Sequence, residues 1–226
     1  MKRSEINIYL KESVDFFRAM KFSLPRFAYW SVADWRANRS AVADIVECGL
    51  GWDITDFGSG DFSKIGLINF NLRNGTINQT RKTYCEKIII VKESQVTPLH
   101  THRNKIEDII NRGGGELVLQ LVQGNRDFRP TDAPVTVKID AVPTTVKGRE
   151  EVILAPGDSI CLEPGVLHMF YGKPGSGTVL VGEVSTVNDD RTDNVFLNGN
   201  PRFPAIDEDT EPLFLLVNDY QRYVQA

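Results

Sequence analysis

Histidine is scarce in this chain, with three among 226 residues set against 30 acidic and 26 basic side chains. Long apolar runs are missing. No stretch approaches the roughly 20 consecutive apolar residues that span a bilayer. The opening residues, MKRSEINIYLKES, also lack the apolar centre of a secretory signal. A cytoplasmic location away from membranes is therefore expected. Charge of one sign is absent too: the net charge is -4 with both signs mixed along the chain, so nucleic acid is not an expected partner. Cysteines are few and odd in number. Cys48, Cys85 and Cys161 stand far apart in apolar or strand-like surroundings, which predicts reduced thiols instead of a disulfide framework. Internal repeats and low-complexity segments are lacking as well. What is left is a globular chain for small ligands, within the length that a single all-β domain reaches.

What is present divides into two kinds of pattern. In the first sixty residues Ile6, Tyr9, Leu10, Val14, Phe17 and Met20 recur at steps of three and four, the apolar face of a helix starting near Ser4. Ser31, with Asp34 as its acidic partner, and Ser40, with Gly49 as a stop, predict two short helices. The Gly- and Asp-rich stretch Gly49 to Phe62 reads as the passage out of this region. From Ser63 the period becomes two. GLINFNLRNG alternates apolar and polar residues before a tight-turn pair, Asn74-Gly75. TYCEKIIIVKE, ELVLQLVQ, VTVKID, EEVILAPG, DSICLEPG, VLHMFYG and TVLVGEVSTV follow as further strands between Gly, Pro and Asp turns. Many short strands punctuated in this way indicate an antiparallel barrel or sandwich. The tail begins with NDDRTDN, passes through NPRFPAIDEDTEP and closes on LFLLV, expected to dock a last strand on the barrel.

The chemistry concentrates in PLHTHRNKIEDIINRGGG, Pro98 to Gly115. His100 and His102, one residue apart on a strand, point to one face. Neutral imidazoles beside a carboxylate, here Glu107, suit divalent first-row metals. The remaining histidine, His168, sits in a second Gly/Pro-flanked run, CLEPGVLHMF. One such histidine alone would ordinarily be a core or surface residue. All three, with a glutamate, in two matching segments make a metal site with coordination positions left open for substrate.

These residues resemble the cupin superfamily. His100, His102, Glu107 and Gly114 satisfy its first motif, and Gly157, Gly165 and His168 its second. Departures fall at Ser94, where a glycine is expected, at Glu163 and Pro164, where the proline is displaced by one, and at Gly172, where an asparagine is expected. The longer strings HTHRNKIEDIINRGGGELVLQL, PGDSICLEPGVLHMFYG, GEVSTVNDDRTDNVFL and RFPAIDEDTEP resemble the D-lyxose ketol-isomerases, over nearly the whole chain. The resemblance implies a mainly β fold, a cupin (double-stranded β-helix, or jelly-roll) barrel with an N-terminal α-helical extension. It implies one domain over 1–226: helices over 1–60, the barrel with its metal site over 63–187, and a C-terminal extension over 188–226 packed on the barrel. It also implies one divalent ion, Mn(II) first and Zn, Co or Fe as alternatives, held by His100, His102, Glu107 and His168. The implied reaction interconverts D-lyxose with D-xylulose, and D-mannose with D-fructose, through an enediol.

Such a reaction needs a base and groups for the sugar. Glu183 shares a parity with Val179, Val181 and Ser185, so it projects among apolar neighbours, where burial is expected to raise its pKa. It is the candidate base. Lys105, between His102 and Glu107, is the candidate proton carrier. Lys87, set on an apolar parity, either snorkels to solvent or faces the ligand. Asp190, Arg191 and Asp193 of the NDDRTDN loop, and Glu211, are candidate sugar contacts. A homodimer is expected from apolar surface on the helical extension and from open sheet edges. Two rivals stay open: a cupin dioxygenase using the same ligands, and a sugar-binding module without catalysis.

Overall fold

The computed structural model describes residues 1–77, 81–197, 199 and 201–225. Two antiparallel sheets face each other across an apolar interior, and helices cover the outer face of the larger one. The strands are β1 (Gly51–Thr55), β2 (Leu67–Arg73), β3 (Tyr84–Val91), β4 (Thr97–His102), β5 (Glu107–Gly114), β6 (Leu117–Gln123), β7 (Val135–Ile139), β8 (Val142–Val146), β9 (Glu151–Leu154), β10 (Ser159–Leu162), β11 (Val166–Gly172), β12 (Val179–Thr186) and β13 (Asn194–Phe196). The larger sheet runs β1-β2-β3-β12-β5-β10-β7-β8 and the smaller β13-β4-β11-β6-β9.

Each strand expected from the period of two is found. β4 is the strand read from the His100/His102 pair, and four others are not announced. β1 lies inside the stretch expected to be an exit loop, ahead of the boundary at residue 63; Leu50, Trp52 and Ile54 do alternate with Gly51, Asp53 and Thr55, but the run is short and the glycines and aspartates around it mask the period. β5 and β8 alternate too weakly to stand out, and β13 is only three residues long. The expected tight turn at Asn74-Gly75 is also corrected. β2 and β3 pair, but the Asn74 side chain donates to the carbonyls of Cys48 and Asn188 and accepts from the Asn188 amide instead of closing a hairpin.

Around β3 the larger sheet is buried on both faces, which explains the unbroken run Ile88–Val91, whereas toward β7 and β8 its outer residues are exposed. Its inner face sets Ile89, Val91, Ile109, Val179 and Val181 against Leu119, Leu121 and Phe170 of the smaller sheet. Its outer face sets Ile68, Phe70, Ile88, Ile90 and Leu180 against helix α1 (Arg3–Ala19). The helix buries Ile6, Leu10 and Phe17 there, as the three-and-four spacing predicts. Each such side chain contributes about 1.5–3 kcal/mol. Helix α2 (Val32–Ala37) starts at Ser31, whose hydroxyl accepts from the Asp34 amide while Asp34 returns to the Ser31 amide. Helix α3 (Ala43–Glu47) starts later than expected, because Ser40 is taken up in a 3-10 turn. Trp35 and Trp52 are fully buried in these helix contacts, so neither meets a sugar.

The C-terminal LFLLV forms no strand. Only Leu216 bridges to Trp52, and a 3-10 turn then leads into α4 (Tyr220–Tyr223). The tie between the chain's two ends is ionic instead. Arg3 has no exposed surface; it donates to both Glu208 oxygens at 2.8 Å and to Asp219 at 2.7 and 3.0 Å. Removing one partner of a buried pair costs several kcal/mol, and Glu208 is partly exposed, so we expect Arg3→Met to cost about 3 kcal/mol, the low end of that range. At 2–4 °C per kcal/mol this lowers Tm by roughly 6–12 °C. The sign with pH follows from Glu208, whose carboxyl the Arg3 hydrogen bonds hold below the usual range. Its contribution is complete above the ordinary carboxylate pKa of about 4.3 and is lost as pH falls through the lowered folded value. Thermal melts from pH 7 to pH 3 should therefore bring wild type and Arg3→Met closer together in acid; a constant gap would show that Glu208 contributes nothing.

Two of the motif departures have a backbone reason. Ser94 sits at φ 58°, in the left-handed region where glycine is favoured. At Gly172 a Cβ would come within 2.8 Å of the Lys92 carbonyl oxygen, so the larger asparagine does not fit this turn.

Candidate active site

Strand pairing assembles the site from both sheets. In the smaller sheet His168 of β11 lies opposite His100 of β4, with His102 two residues on along the same face. In the larger sheet Glu183 of β12 lies opposite Lys87 of β3, and the adjoining Ser185 lies opposite Glu107 of β5. The two groups meet across the interior at the end where the apolar core stops. All of these side chains are buried.

The three histidines bring ligand nitrogens within 4.8 Å of one another. Nδ1 of His100 donates to the Pro98 carbonyl at 2.8 Å, and Nδ1 of His168 donates to the Val166 carbonyl at 3.1 Å. A carbonyl can only accept, so both rings are held with Nε2 turned to the cluster. Glu107 Oε1 stands 3.3 Å from Nε2 of His102 and 3.0 Å from Nε2 of His168. Both Nε2 atoms are nevertheless buried without an aligned hydrogen bond among the described residues. Donors crowded in this way, aimed at a shared point and not at one another, fit a cation. The electrostatics agree: burial, with His168 and His102 nearby, holds His100 well below its usual pKa, and burial with Lys105 lowers His102. Glu107, despite burial, is held well below the carboxylate range by Lys105 and His102. The three histidines are thus able to hold a metal ion, and Glu107 stands beside them as a further candidate donor.

Across from the histidines, Lys105 Nζ bridges Glu107 Oε2 at 2.6 Å and Glu183 Oε1 at 2.8 Å. Burial lowers the lysine's proton affinity, but the two carboxylates outweigh it and the pKa rises. Lys87 faces the interior and does not snorkel out: its Nζ lies 2.8 Å from Asn188 Oδ1, 3.3 Å from Glu183 Oε1 and 3.7 Å from Asp190 Oδ1. The expected rise in the Glu183 pKa is corrected. Burial does push it up, but Lys105 and Lys87 together hold it below the ordinary value. Among the described residues every hydrogen bond to Glu183 falls on Oε1, including a long one from Ser185 at 3.4 Å, which leaves Oε2 open. The Cys85 thiol, on the same face, is pushed up to about 12 by burial, so thiolate chemistry has no place here.

The NDDRTDN loop divides. Asp190 lines the cavity, 3.4 Å from Arg202, whose charge with those of Lys87 and Lys105 overcomes burial and keeps the carboxyl well below its usual range. Asp193 is turned away from the sugar role expected for it: it accepts from the backbone amides of Asn104 and Lys105 and lies 3.6 Å from His102 Nδ1, steadying the loop that carries Lys105. Arg191 is exposed and outside this cavity, its amide bound to Asp189. Glu211 is also exposed, its carbonyl accepts from Asn7 of α1, and it is not among the residues that border the cavity. The sequence reading missed Arg202, Thr97, Phe57 and Phe196, which all border the cavity. Phe196 stacks on His100 with centroids 5.2 Å apart. No periodic signal marks Arg202, which reaches in from the proline-flanked stretch RFP.

The cavity measures about 40 Å³, small beside the roughly 300–1,000 Å³ of pockets that engulf ligands, so a sugar reaches the site only as side chains at the mouth move. A wider cleft of about 1,080 Å³ opens between α3, the segment after β2 and α4, and shares Asp190 and Asn188 with the site side. Of the two, the small cavity adjoins the histidines, and it carries the chemistry.

Fold and site together define a cupin-like barrel enzyme whose buried histidines can hold a metal ion beside a lysine-bridged pair of carboxylates. A family model described as D-lyxose isomerase matches residues 1–220. The chain belongs to the D-lyxose isomerase family and is an aldose–ketose isomerase. A D-lyxose/D-mannose isomerase of Serratia proteamaculans is 44% identical over 99% of this chain and 100% of its own length; its counterpart in Escherichia coli O157:H7 is 43% identical over the same shares. Among solved structures, L-ribose isomerase of Cellulomonas parahominis with L-psicose matches at TM-score 0.59 and 19% identity. It covers 92% of this chain and 98% of that one. L-ribose isomerase of Acinetobacter sp. DL28 with L-ribose matches at TM-score 0.60 and 18% identity over the same shares. At such identity these two speak for the fold, and for the fold alone.

Proposed function

We propose that this chain interconverts D-lyxose with D-xylulose, and D-mannose with D-fructose, by proton transfer through an enediolate, with Glu183 as base and Lys105 as proton carrier. The observation that carries this is the open Oε2 of Glu183, whose partner oxygen is fixed by the Lys105 ammonium at 2.8 Å. A carboxylate held below its usual range is ionised at neutral pH and ready to accept the C2 proton and return it to C1. Its weakness as a base is offset when the C2 proton is acidified, the Lewis-acid chemistry that a divalent cation on His100, His102, His168 and Glu107 supplies. Lys105, within hydrogen-bond reach of both carboxylates, moves the proton between the two sugar oxygens and balances the enediolate charge.

Mn(II) is the proposed ion, on the strength of mixed imidazole and carboxylate donors. A cytoplasmic setting is supported by three free cysteines, and a homodimer by Ile8 and Tyr29, exposed on the helical side. The test is to strip metal, add back Mn, Zn, Fe or Co singly, and follow ketose formation from D-lyxose and D-mannose in deuterated water. Ketose carrying deuterium at C1 is expected. Full retention of the substrate hydrogen would replace proton transfer with a hydride shift, and oxygen uptake in place of ketose would favour a dioxygenase.

A further inference from the structure

We propose that Arg202 reads the far end of the sugar: its free guanidinium edge binds the hydroxyl most distant from the carbonyl and makes turnover depend on chain length. This rests on the isomerase reading above and extends it to a residue with no part in the proton transfer. The side chain is 9% exposed and borders the cavity. Its Nη2 is committed, hydrogen-bonded to Asp53 of β1 and 3.4 Å from Asp190. Its Nη1 is buried and has no partner among the described residues. An unmade hydrogen bond on a buried cation is costly, and a guanidinium cannot shed its charge to escape that cost. Because the side chain borders the cavity, the two donor hydrogens of Nη1 fall to a ligand that enters as side chains at the mouth move.

The position fixes which end of the substrate they meet. Charged groups form a path from the reacting end outward: Glu183 lies 3.3 Å from Lys87, Lys87 lies 3.7 Å from Asp190, and Asp190 lies 3.4 Å from Arg202. Carbons 1 and 2 belong beside Glu183 and the histidines, so an extended open-chain sugar points its last hydroxyl along this path toward Arg202. The mouth is built to hold the residue there. Pro201 packs on the loop after β1 so closely that a Cβ on Gly58 would stand 2.8 Å from its ring. The charge also selects the ligand class. Asp53 and Asp190 already balance the guanidinium, and Asp190 is held ionised by Arg202 and Lys87 even against burial. A phosphate on the terminal carbon would face both carboxylates, so the site takes neutral sugars.

The experiment compares wild type, Arg202→Met and Arg202→Lys, each metal-loaded, on D-lyxose and on a four-carbon aldose of the same configuration at C2 and C3, which lacks the distal carbon. For D-lyxose, Arg202→Met should raise KM about 10- to 100-fold with kcat within about threefold, the effect of losing hydrogen bonds from a charged donor. Arg202→Lys should recover part of the loss, and the four-carbon aldose should respond less than threefold to either change. Equal losses on both sugars, or a fall in kcat alone, would overturn the assignment, because a structural or chemical role does not depend on substrate length. The isomerase reading fails separately: metal-loaded wild type would then make no ketose from D-lyxose at all.

Discussion

Glu183→Gln lowers kcat by about 10²- to 10⁴-fold, the range ascribed to a positioned general base, while KM and bound metal stay near their wild-type values. In barrier terms the loss is roughly 3–5 kcal/mol. Glutamine is close in shape and keeps a carbonyl oxygen able to accept from Lys105 Nζ at the 2.8 Å seen for Glu183 Oε1. What disappears is the lone pair at Oε2, which no described residue engages. Metal content is expected to hold because the candidate donors, His100, His102, His168 and Glu107, are untouched and lie on other strands. The check pairs elemental analysis with kcat and with wash-in of solvent deuterium at C1. Loss of metal together with activity would reassign Glu183 to the coordination sphere. Normal turnover would remove it from the reaction.

The legible part of this molecule was the part that obeys a period or a spacing. His100 and His102 two apart and the glycine spacing before His168 identified a histidine triad that strand pairing brings together, and Glu107, five beyond His102, comes beside it from the other sheet. Lys87 and Glu183 were each visible as charges on an apolar parity, and the register sets them directly opposite one another. Signals of a different kind went unread. β1 alternates over only a few residues, Trp52 and Ile54 against Asp53 and Thr55, inside a Gly- and Asp-rich stretch that reads as a loop. Arg202 reaches the cavity from a segment with neither helical nor strand period, by a tertiary path to Asp53 that begins 149 residues earlier in the chain. The pKa of Glu183 was misjudged for a related reason. Burial was readable from parity, but the two lysines that outweigh it come from β3 and from the loop after β4, and only folding places them within 3.3 Å of one oxygen. Acid-rich loops misled in the opposite direction. NDDRTDN looked like a uniform cluster of sugar ligands, yet Asp190 faces the cavity, Asp193 braces backbone amides and Arg191 faces solvent.

Lys105→Met should damage stability and catalysis together, and the way the two separate tests the role given to this residue. The lysine is fully buried between Glu107 and Glu183 at 2.6 and 2.8 Å. Its removal leaves two buried carboxylates with their shared cation gone, a change that costs about 3–5 kcal/mol. In a chain of this size Tm falls by roughly 6–20 °C. Turnover falls by about 10²-fold or more, since no other described donor lies between those carboxylates to carry the proton. A divalent cation held by the histidines would replace part of the missing positive charge beside Glu107, so adding Mn(II) should restore part of the Tm without restoring kcat. The double variant Lys105→Met/Glu183→Gln supplies the discriminating comparison. With one carboxylate neutralised, the repulsion that destabilises the single variant is relieved, so the double variant should melt higher than Lys105→Met while remaining inactive. Additive losses of stability would mean that the two side chains do not interact, and a Lys105→Met protein that melts with wild type would return the lysine to a solvated turn.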